Sequence, residues 1–200
     1  DDMAGQGVTF TNAYTQCPSC IATRASLATG RTPNSTGRIG YRDGVPWRYE
    51  GTMMHRLRDS GYQTLCVGKT HFYPQRLHLG FEDLRLYSIQ DHDPHFVSDY
   101  HAWLQRETGG RVKDTAREIT TNSWMTRPWE HDEHLHPNSW TFETAIELMD
   151  RRDPTRPFFM QVSPHRPHPP IDPPVEYFRQ YEGREMPPVP VGDWAERYDE

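Results

Sequence analysis

The residues with the clearest chemical potential lie in a short loop, Cys-Pro-Ser-Cys at 17–20, and just after it. Apolar residues over 22–29 recur at helical spacing and stop at Gly30, so Cys20 would stand at the entrance of a helix. Backbone N–H groups at a helix N-terminus attract anions and acidify a thiol placed there. Arg24, one turn further on, can reach back toward Cys20. The pattern therefore favours an acidified thiol or a bound anion at this junction.

Three interpretations of this loop compete on residue types alone. Cys17 and Cys20 form a CxxC pair, which is typical of redox sites and of one half of a zinc site. No thioredoxin-like βαβ pattern accompanies the pair in the first 60 residues, and no second ligand pair follows at zinc spacing. Two small buried thiols in a tight turn are the default interpretation of a bare CxxC.

Two further polar loops follow predicted strands. One strand, predicted over 62–68, ends in Gly-Lys-Thr-His, and another, over 158–162, leads into the loop 165–168 with two histidines and an arginine. Ligands of open α/β sheets bind beyond the carboxyl ends of the strands, so both loops are candidate walls of one site. If the backbone stays extended after the first strand, Lys69 and His71 project on the same side.

The order of predicted elements indicates an α/β fold. A helix over 52–60 precedes the first of these strands, and an amphipathic helix over 139–152 precedes the second. Residues 8–14 alternate like a further short strand, and 84–135 is expected to hold loops with short helices. These elements would position the polar loops at one edge of a sheet.

Composition narrows the class of protein. The formal net charge is −6, which disfavours a nucleic-acid binder, and the three cysteines make no disulfide framework. No apolar run approaches the roughly 20 residues of a membrane-spanning helix. We therefore expect no nucleic-acid partner and no membrane span. The sequence opens without Met or a signal peptide, and we expect both ends to be truncated; cytoplasmic, periplasmic and secreted locations all stay open.

The segment from Cys20 to Arg31, CIATRASLATGR, resembles the signature C-x-(P/A)-(S/T)-R-x(4)-T-G-R of type I sulfatases, which belong to the alkaline-phosphatase-like superfamily. Later blocks resemble the same family in the same order: VGKTHF at 67–72, HLGFED at 78–83, HPNSW at 136–140 and FFMQVSPHRPHPP at 158–170. The blocks together touch residues 3–41, 65–83 and 136–174.

The resemblance implies an alkaline-phosphatase-like α/β sandwich in which helices flank a central mixed sheet. Residues 1–200 would form part of the N-terminal catalytic domain, as a partial domain without the C-terminal subdomain. The implied activity is that of a sulfuric-ester hydrolase, similar to arylsulfatases, acting on sulfate esters of small molecules or sugars. The alternatives are hydrolysis of phosphonate or phosphate monoesters and a non-catalytic sulfatase-like chain.

The resemblance also implies roles for single residues. A maturation enzyme would oxidise Cys20 to formylglycine, whose hydrated form is the nucleophile. Arg24 would orient this nucleophile, and Lys69 would bridge it to the sulfate. His71 would hold and deprotonate the second hydroxyl, and His168 would protonate the leaving oxygen.

The resemblance implies a hard divalent metal as well, Ca²⁺ or Mg²⁺. The formylglycine at position 20 would be one ligand. Asp1 and Asp2 align with the helix before the signature rather than with the family's metal-binding pair, so the remaining ligands are expected upstream of this sequence and beyond Glu200. The 200-residue chain by itself is therefore expected to be inactive.

Some assignments stay open. His165 could act in place of His168, although the family pattern favours the histidine that follows Pro167. His136 and Trp140 could line the pocket, or could serve as a helix cap and a core residue.

Overall fold

The computed structural model of the chain describes residues 2–89, 93, 95–114, 119 and 124–195. Its elements, in chain order, are α1 (Asp2–Gln6), α2 (Cys20–Thr29), α3 (Pro33–Thr36), α4 (Met53–Asp59), β1 (Gln63–Gly68), β2 (Asp83–Leu86), α5 (Asp99–Thr108), a 3-10 turn (Glu133–Leu135), α6 (Pro137–Arg151), β3 (Phe158–Ser163) and α7 (Val175–Arg179). None of the described helices is long and apolar enough to cross a membrane.

The described strands form a parallel sheet in the order β2-β1-β3. In the register of this sheet Leu65 of β1 lies opposite Asp83 of β2, and Gly68 of β1 lies opposite Ser163 of β3. Because β1 and β3 run in the same direction and end side by side, the loops that follow them leave the sheet at one edge. The predicted α/β class is confirmed, and the sheet brings the two polar loops together.

Apolar side chains pack on both faces of the sheet. Cys66 of β1 belongs to a core cluster with Ile21 of α2, whereas Val67 belongs to a second cluster with Leu104 of α5 and Trp140 of α6. Successive residues of a strand point to opposite faces, so helices cover both sides of β1. Burial raises the pKa of the Cys66 thiol to about 12, which makes this cysteine an inert core residue.

The predicted strand over 8–14 is wrong. The segment has no strand, and the side chains of Val8, Phe10 and Tyr14 are exposed. Alternation of apolar residues makes a strand only where a neighbouring backbone accepts and donates the ladder hydrogen bonds. No described strand lies beside this segment.

The second predicted strand exists as β3, and it is not a buried strand. Its side chains are half-buried or exposed, with Phe158 at 39% and Val162 at 37% exposure. Among the described strands only β1 flanks it, so one side of β3 is uncovered. β2 was expected to be loop, because four residues with two buried leucines, Leu84 and Leu86, make too short a pattern to stand out.

The amphipathic helix predicted over 139–152 is α6. Trp140 and Ala145 are buried, while Ile146 is 58% exposed. The apolar stripe of α6 is therefore broader than the surface that the sheet and α5 cover. α6 begins beside the polar loop after β3: the side-chain amide of Asn138 donates to the carbonyl oxygen of Arg166 at 3.3 Å and accepts from its backbone N–H at 3.2 Å. The first residues of α6 therefore support this loop.

Candidate active site

Cys20 is the first residue of α2, and the helix holds it at the carboxyl edge of the sheet. Ser19 precedes it in extended conformation without a side-chain cap, while Ala25 is fully buried in the interface with the core. Cys20 is partly exposed and opens on a cleft of about 710 Å³, which Arg24 and Ser163 also line. The Cys20 side chain can therefore be reached from this cleft.

Arg24 ties α2 to the ends of two strands. Its Nη1 donates to the carbonyl oxygen of Lys69 at 2.8 Å, and its Nη2 donates to the hydroxyl of Ser163 at 3.3 Å. Burial lowers its pKa, although the neighbouring thiols of Cys20 and Cys66 act in the opposite direction. The guanidinium is thus a fixed cation near Cys20. Its contact with the nucleophile's hydroxyls stays a prediction.

β1 ends in a turn at Gly68 that no other residue fits. Its φ of 97° lies in the left-handed region, and a Cβ there would come within 2.2 Å of the carbonyl oxygen of Ser163. The amide of Lys69 donates to the same carbonyl at 2.8 Å. The start of the Lys69–His71 loop is therefore fixed against β3.

The side chain of Lys69 is buried, with 5% exposure. Burial lowers the pKa of its ammonium to about 8, and Arg24 lowers it as well, while Cys20 and Asp43 raise it. An ammonium held in such a place lacks the water that would stabilise its charge. An anion that enters the site would replace this lost solvation, so Lys69 and Arg24 together favour an anionic ligand.

His71 does not continue the strand, so the extended backbone predicted for this segment is wrong. Its φ is 62°, and its Nε2 lies 3.3 Å from Oδ2 of Asp43. The ring is buried, and its Nδ1 has no hydrogen-bond partner among the described residues. Burial lowers the pKa of His71 to about 4, and the cations of Lys69 and Arg24 lower it further against the opposing effect of Asp43. The imidazole is neutral at pH 7.

The loop after β3 presents two histidines of different character. His165 is buried, and its ring lies 4.7 Å from that of His168, which is exposed. Burial and the nearby cations of Lys69 and Arg166 lower the pKa of His165 to about 2, so this ring is neutral. Nδ1 of His168 lies 2.8 Å from the carbonyl oxygen of Pro169. Exposure makes His168 the better placed of the two to exchange protons with a substrate.

Arg166 holds this loop in place through hydrogen bonds to buried groups, a role that the sequence did not predict. Its Nε and Nη2 donate to the two carboxylate oxygens of Asp172 at 2.7 and 2.9 Å, and Nη2 also donates to the carbonyl oxygen of Asp114 at 2.8 Å. Nη1 contacts the hydroxyl of Tyr87. Burial by itself lowers the pKa of Arg166, but Asp172 and Tyr87 raise it above its ordinary value, so the guanidinium stays charged.

His136 and Trp140 have structural roles in the described chain. Nδ1 of His136 accepts from the amide of Asn138 at the start of α6, and its Nε2 lies 3.2 Å from the carbonyl oxygen of Asp172. Trp140 is buried in the core between α5 and α6. His136 therefore supports the segment that follows His165 and His168, Trp140 is a core residue, and neither lines the cleft at Cys20.

The predicted residues form one connected group at the carboxyl edge of the sheet. Arg24 bonds to Lys69, and the charge of Lys69 acts on both His71 and His165. His168 joins the group through its ring contact with His165. Two fixed cations and two neutral imidazoles in one group can bind a tetrahedral anion and move protons around it.

The described residues do not form a metal site by themselves. They contain no group of three or more His, Cys, Asp or Glu side chains placed to hold an ion. The location of the ligands of a divalent metal at Cys20 stays a prediction.

The sequence model of the family described as Sulfatase matches residues 1–188. An arylsulfatase of Clostridium perfringens is 42% identical over 214 residues, which cover 100% of this chain and 44% of the relative. The human iduronate 2-sulfatase is 27% identical over 90% of this chain and 32% of the relative. The chain thus spans less than half of the length of these relatives.

Solved structures of lower identity share the fold. A phosphonate monoester hydrolase of Agrobacterium radiobacter has a TM-score of 0.70 at 21% identity, over 94% of this chain and 39% of that one. A protein solved in complex with its substrate D-glucosamine-2-N,6-O-disulfate has a TM-score of 0.66 at 19% identity, over 94% and 33%. Family match, identity and fold agree: the chain belongs to the sulfatase family of the alkaline-phosphatase-like superfamily.

Proposed function

We propose that the protein hydrolyses sulfate esters to an alcohol and inorganic sulfate, with residue 20 as the nucleophile after conversion of Cys20 to formylglycine. One observation carries the proposal. Cys20 is the first residue of α2, one turn before Arg24, and the hydrogen bond of Arg24 to the carbonyl oxygen of Lys69 holds the guanidinium near the buried Lys69 ammonium. Membership of the sulfatase family and 42% identity to an arylsulfatase support the same chemistry.

Substrate binding follows from the two cations. The sulfate group of the ester carries a negative charge, which Arg24 and the buried ammonium of Lys69 would stabilise. Charge builds up on the equatorial oxygens as the sulfur is attacked, so fixed cations bind the transition state more strongly than the ester. The turn at Gly68 keeps Lys69 in place without further reorganisation during the reaction.

As hydrated formylglycine, residue 20 supplies two hydroxyls. The oxygen of the first forms a new S–O bond as the ester S–O bond breaks. Deprotonation of the second then forms the aldehyde C=O bond as the C–O bond to sulfate breaks and sulfate leaves. His168 gives a proton to the departing alcohol oxygen from its exposed position. His71 takes the proton of the second hydroxyl on Nδ1, the ring atom that has no partner in the described chain. The proton of the attacking hydroxyl passes to solvent, and water then rehydrates the aldehyde. His71 releases its proton to solvent and His168 takes one up, so both histidines return to their starting protonation states and one proton is released in each turnover.

Sulfatases generally use a divalent metal together with the formylglycine modification. For this protein we propose Ca²⁺ or Mg²⁺, because a sulfate oxygen and hydroxyl groups are hard ligands. The described residues do not complete its site, so no step is assigned to the metal. We further propose a formylglycine-generating maturation enzyme as a partner that recognises the sequence around Cys20.

Phosphonate or phosphate monoester hydrolysis is the second candidate. The fold shared with a phosphonate monoester hydrolase favours it, whereas the higher identity to an arylsulfatase favours sulfate. A sulfate monoester carries one negative charge, and a phosphate monoester carries close to two at neutral pH. Lys69 and Arg24 do not by themselves separate the two, so the preference must be measured.

The test is turnover of an aryl sulfate and of an aryl phosphonate monoester by the full-length protein, produced together with a maturation enzyme. We expect the larger kcat/KM for the sulfate, and a loss of at least about 10³-fold in Cys20→Ala. Cys17→Ala is the matched control, since Cys17 lies three residues away and has no assigned role; it should retain its turnover. Full activity of Cys20→Ala, or turnover of the phosphonate alone, would contradict the proposal.

A further inference from the structure

Asp43 lies against His71 although the two residues are far apart in sequence. Oδ2 of Asp43 is 3.3 Å from Nε2 of His71 and also accepts from the hydroxyl of Tyr41 at 3.1 Å. Oδ1 accepts from the amide of Gly44 at 2.8 Å, which fixes the plane of the carboxylate. The side chains of His71 and Asp43 are 2% and 11% exposed, so the contact is largely shielded from water.

The contact decides which ring nitrogen of His71 carries the proton. An aspartate carboxylate only accepts hydrogen bonds, so Nε2 of His71 must be the donor. A neutral imidazole has one proton on its ring nitrogens, and Nδ1 is then an unprotonated acceptor. Nδ1 is the atom that is buried and has no partner among the described residues.

We propose that Asp43 is a positioning residue of the active site: by accepting the Nε2 proton of His71, it leaves Nδ1 bare to take the proton of the second hydroxyl on residue 20. The proposal rests on the proposed function for the identity of the proton donor. The assignment of the tautomer stands on the contact itself. Asp43 touches neither substrate nor nucleophile in this scheme and acts only through His71.

The other groups around His71 keep the ring neutral but do not determine which ring nitrogen carries the proton. Lys69 and Arg24 oppose a positive charge on the ring, and Tyr41 faces it with ring centroids 6.0 Å apart. With these cations nearby, the ring stays neutral and can sample both tautomers unless one is selected. Asp43 is the described carboxylate that contacts the ring, and it selects the tautomer with a bare Nδ1.

Kinetics of the full-length protein test the role in turnover. An Asn in place of Asp43 can donate as well as accept, so it no longer forces Nε2 to carry the proton. We expect Asp43→Asn to lower kcat for an aryl sulfate by about 10–100-fold with KM changed less than about twofold. Asp43→Glu keeps the acceptor and should recover part of kcat. The matched control is Asp59→Asn, an exposed surface aspartate, which should not change kcat.

Two-bond ¹⁵N–¹H correlation spectra of ¹⁵N-histidine-labelled protein test the tautomer without any assay, with His71→Asn to assign the ring. We expect the proton on Nε2 in the wild type and a shift toward Nδ1 in Asp43→Asn. A wild-type proton on Nδ1, or unchanged kcat in folded Asp43→Asn, overturns the proposal. Failure of the wild type to hydrolyse any sulfate ester would instead count against the proposed function, and the spectra would still decide the role of Asp43.

Discussion

Replacing Arg166 with methionine tests how the loop with His165 and His168 is held in place. Arg166 and Asp172 share two hydrogen bonds of 2.7 and 2.9 Å, and their side chains are 5% and 0% exposed. Arg166→Met leaves the Asp172 carboxylate buried without its cation. Loss of one partner of a buried pair costs about 3–5 kcal/mol, because the remaining charge has neither water nor a counter-ion. Urea denaturation followed by tryptophan fluorescence measures the loss.

Two further variants separate the ion pair from a general effect of the substitution. Arg151→Met removes an exposed partner of Glu147 on α6, at 74% and 53% side-chain exposure, and should change the free energy of unfolding by less than about 0.5 kcal/mol. The double variant Arg166→Met with Asp172→Leu should be less destabilised than Arg166→Met, because no unpaired charge remains. A loss below about 1 kcal/mol in Arg166→Met would refute the reasoning.

Three further outcomes follow from the same structure. Gly68→Ala should lower the free energy of unfolding by at least about 2 kcal/mol, because its Cβ would collide with a β3 carbonyl at left-handed φ, whereas Gly5→Ala on an exposed helix should not destabilise. Burial lowers the pKa of His136 from 6.5 to about 4, so between these two pH values the unfolded chain binds a proton on His136 and the folded chain does not. The free energy of unfolding should therefore fall as the pH drops from 6.5 to 4. The fall should be less steep in His136→Asn and as steep as in the wild type in the exposed control His134→Asn. The 200-residue chain alone should not turn over an aryl sulfate, since its described residues form no metal site, and measurable hydrolysis by it would contradict this.

The sequence was sufficient for the elements with strong local signals. The helix at Cys20 ends at Gly30 as predicted, because this glycine adopts the left-handed conformation of a helix C-cap. β1 was predictable from the apolar stretch Leu-Cys-Val at 65–67, which ends at Gly68. β2 was not, because a four-residue strand owes its existence to pairing with β1 rather than to its own pattern.

The candidate site shows the same division. Cys20, Lys69 and His71 could be predicted because each lies within a short motif at a strand or helix end. Asp43 could not, since its contact with His71 spans 28 residues and depends on how a loop folds over the strand end. The pair of Arg166 with Asp172 likewise depends on burial, which no spacing in this Pro-rich segment reveals.

Mass spectrometry of the peptide that contains Cys20 tests the central claim most directly. The protein is produced together with a formylglycine-generating enzyme, digested and compared with Cys20→Ala. Conversion of the thiol to an aldehyde predicts a loss of about 18 Da at residue 20, together with turnover of an aryl sulfate. An unmodified thiol at Cys20 in protein that still hydrolyses the sulfate ester would contradict the account.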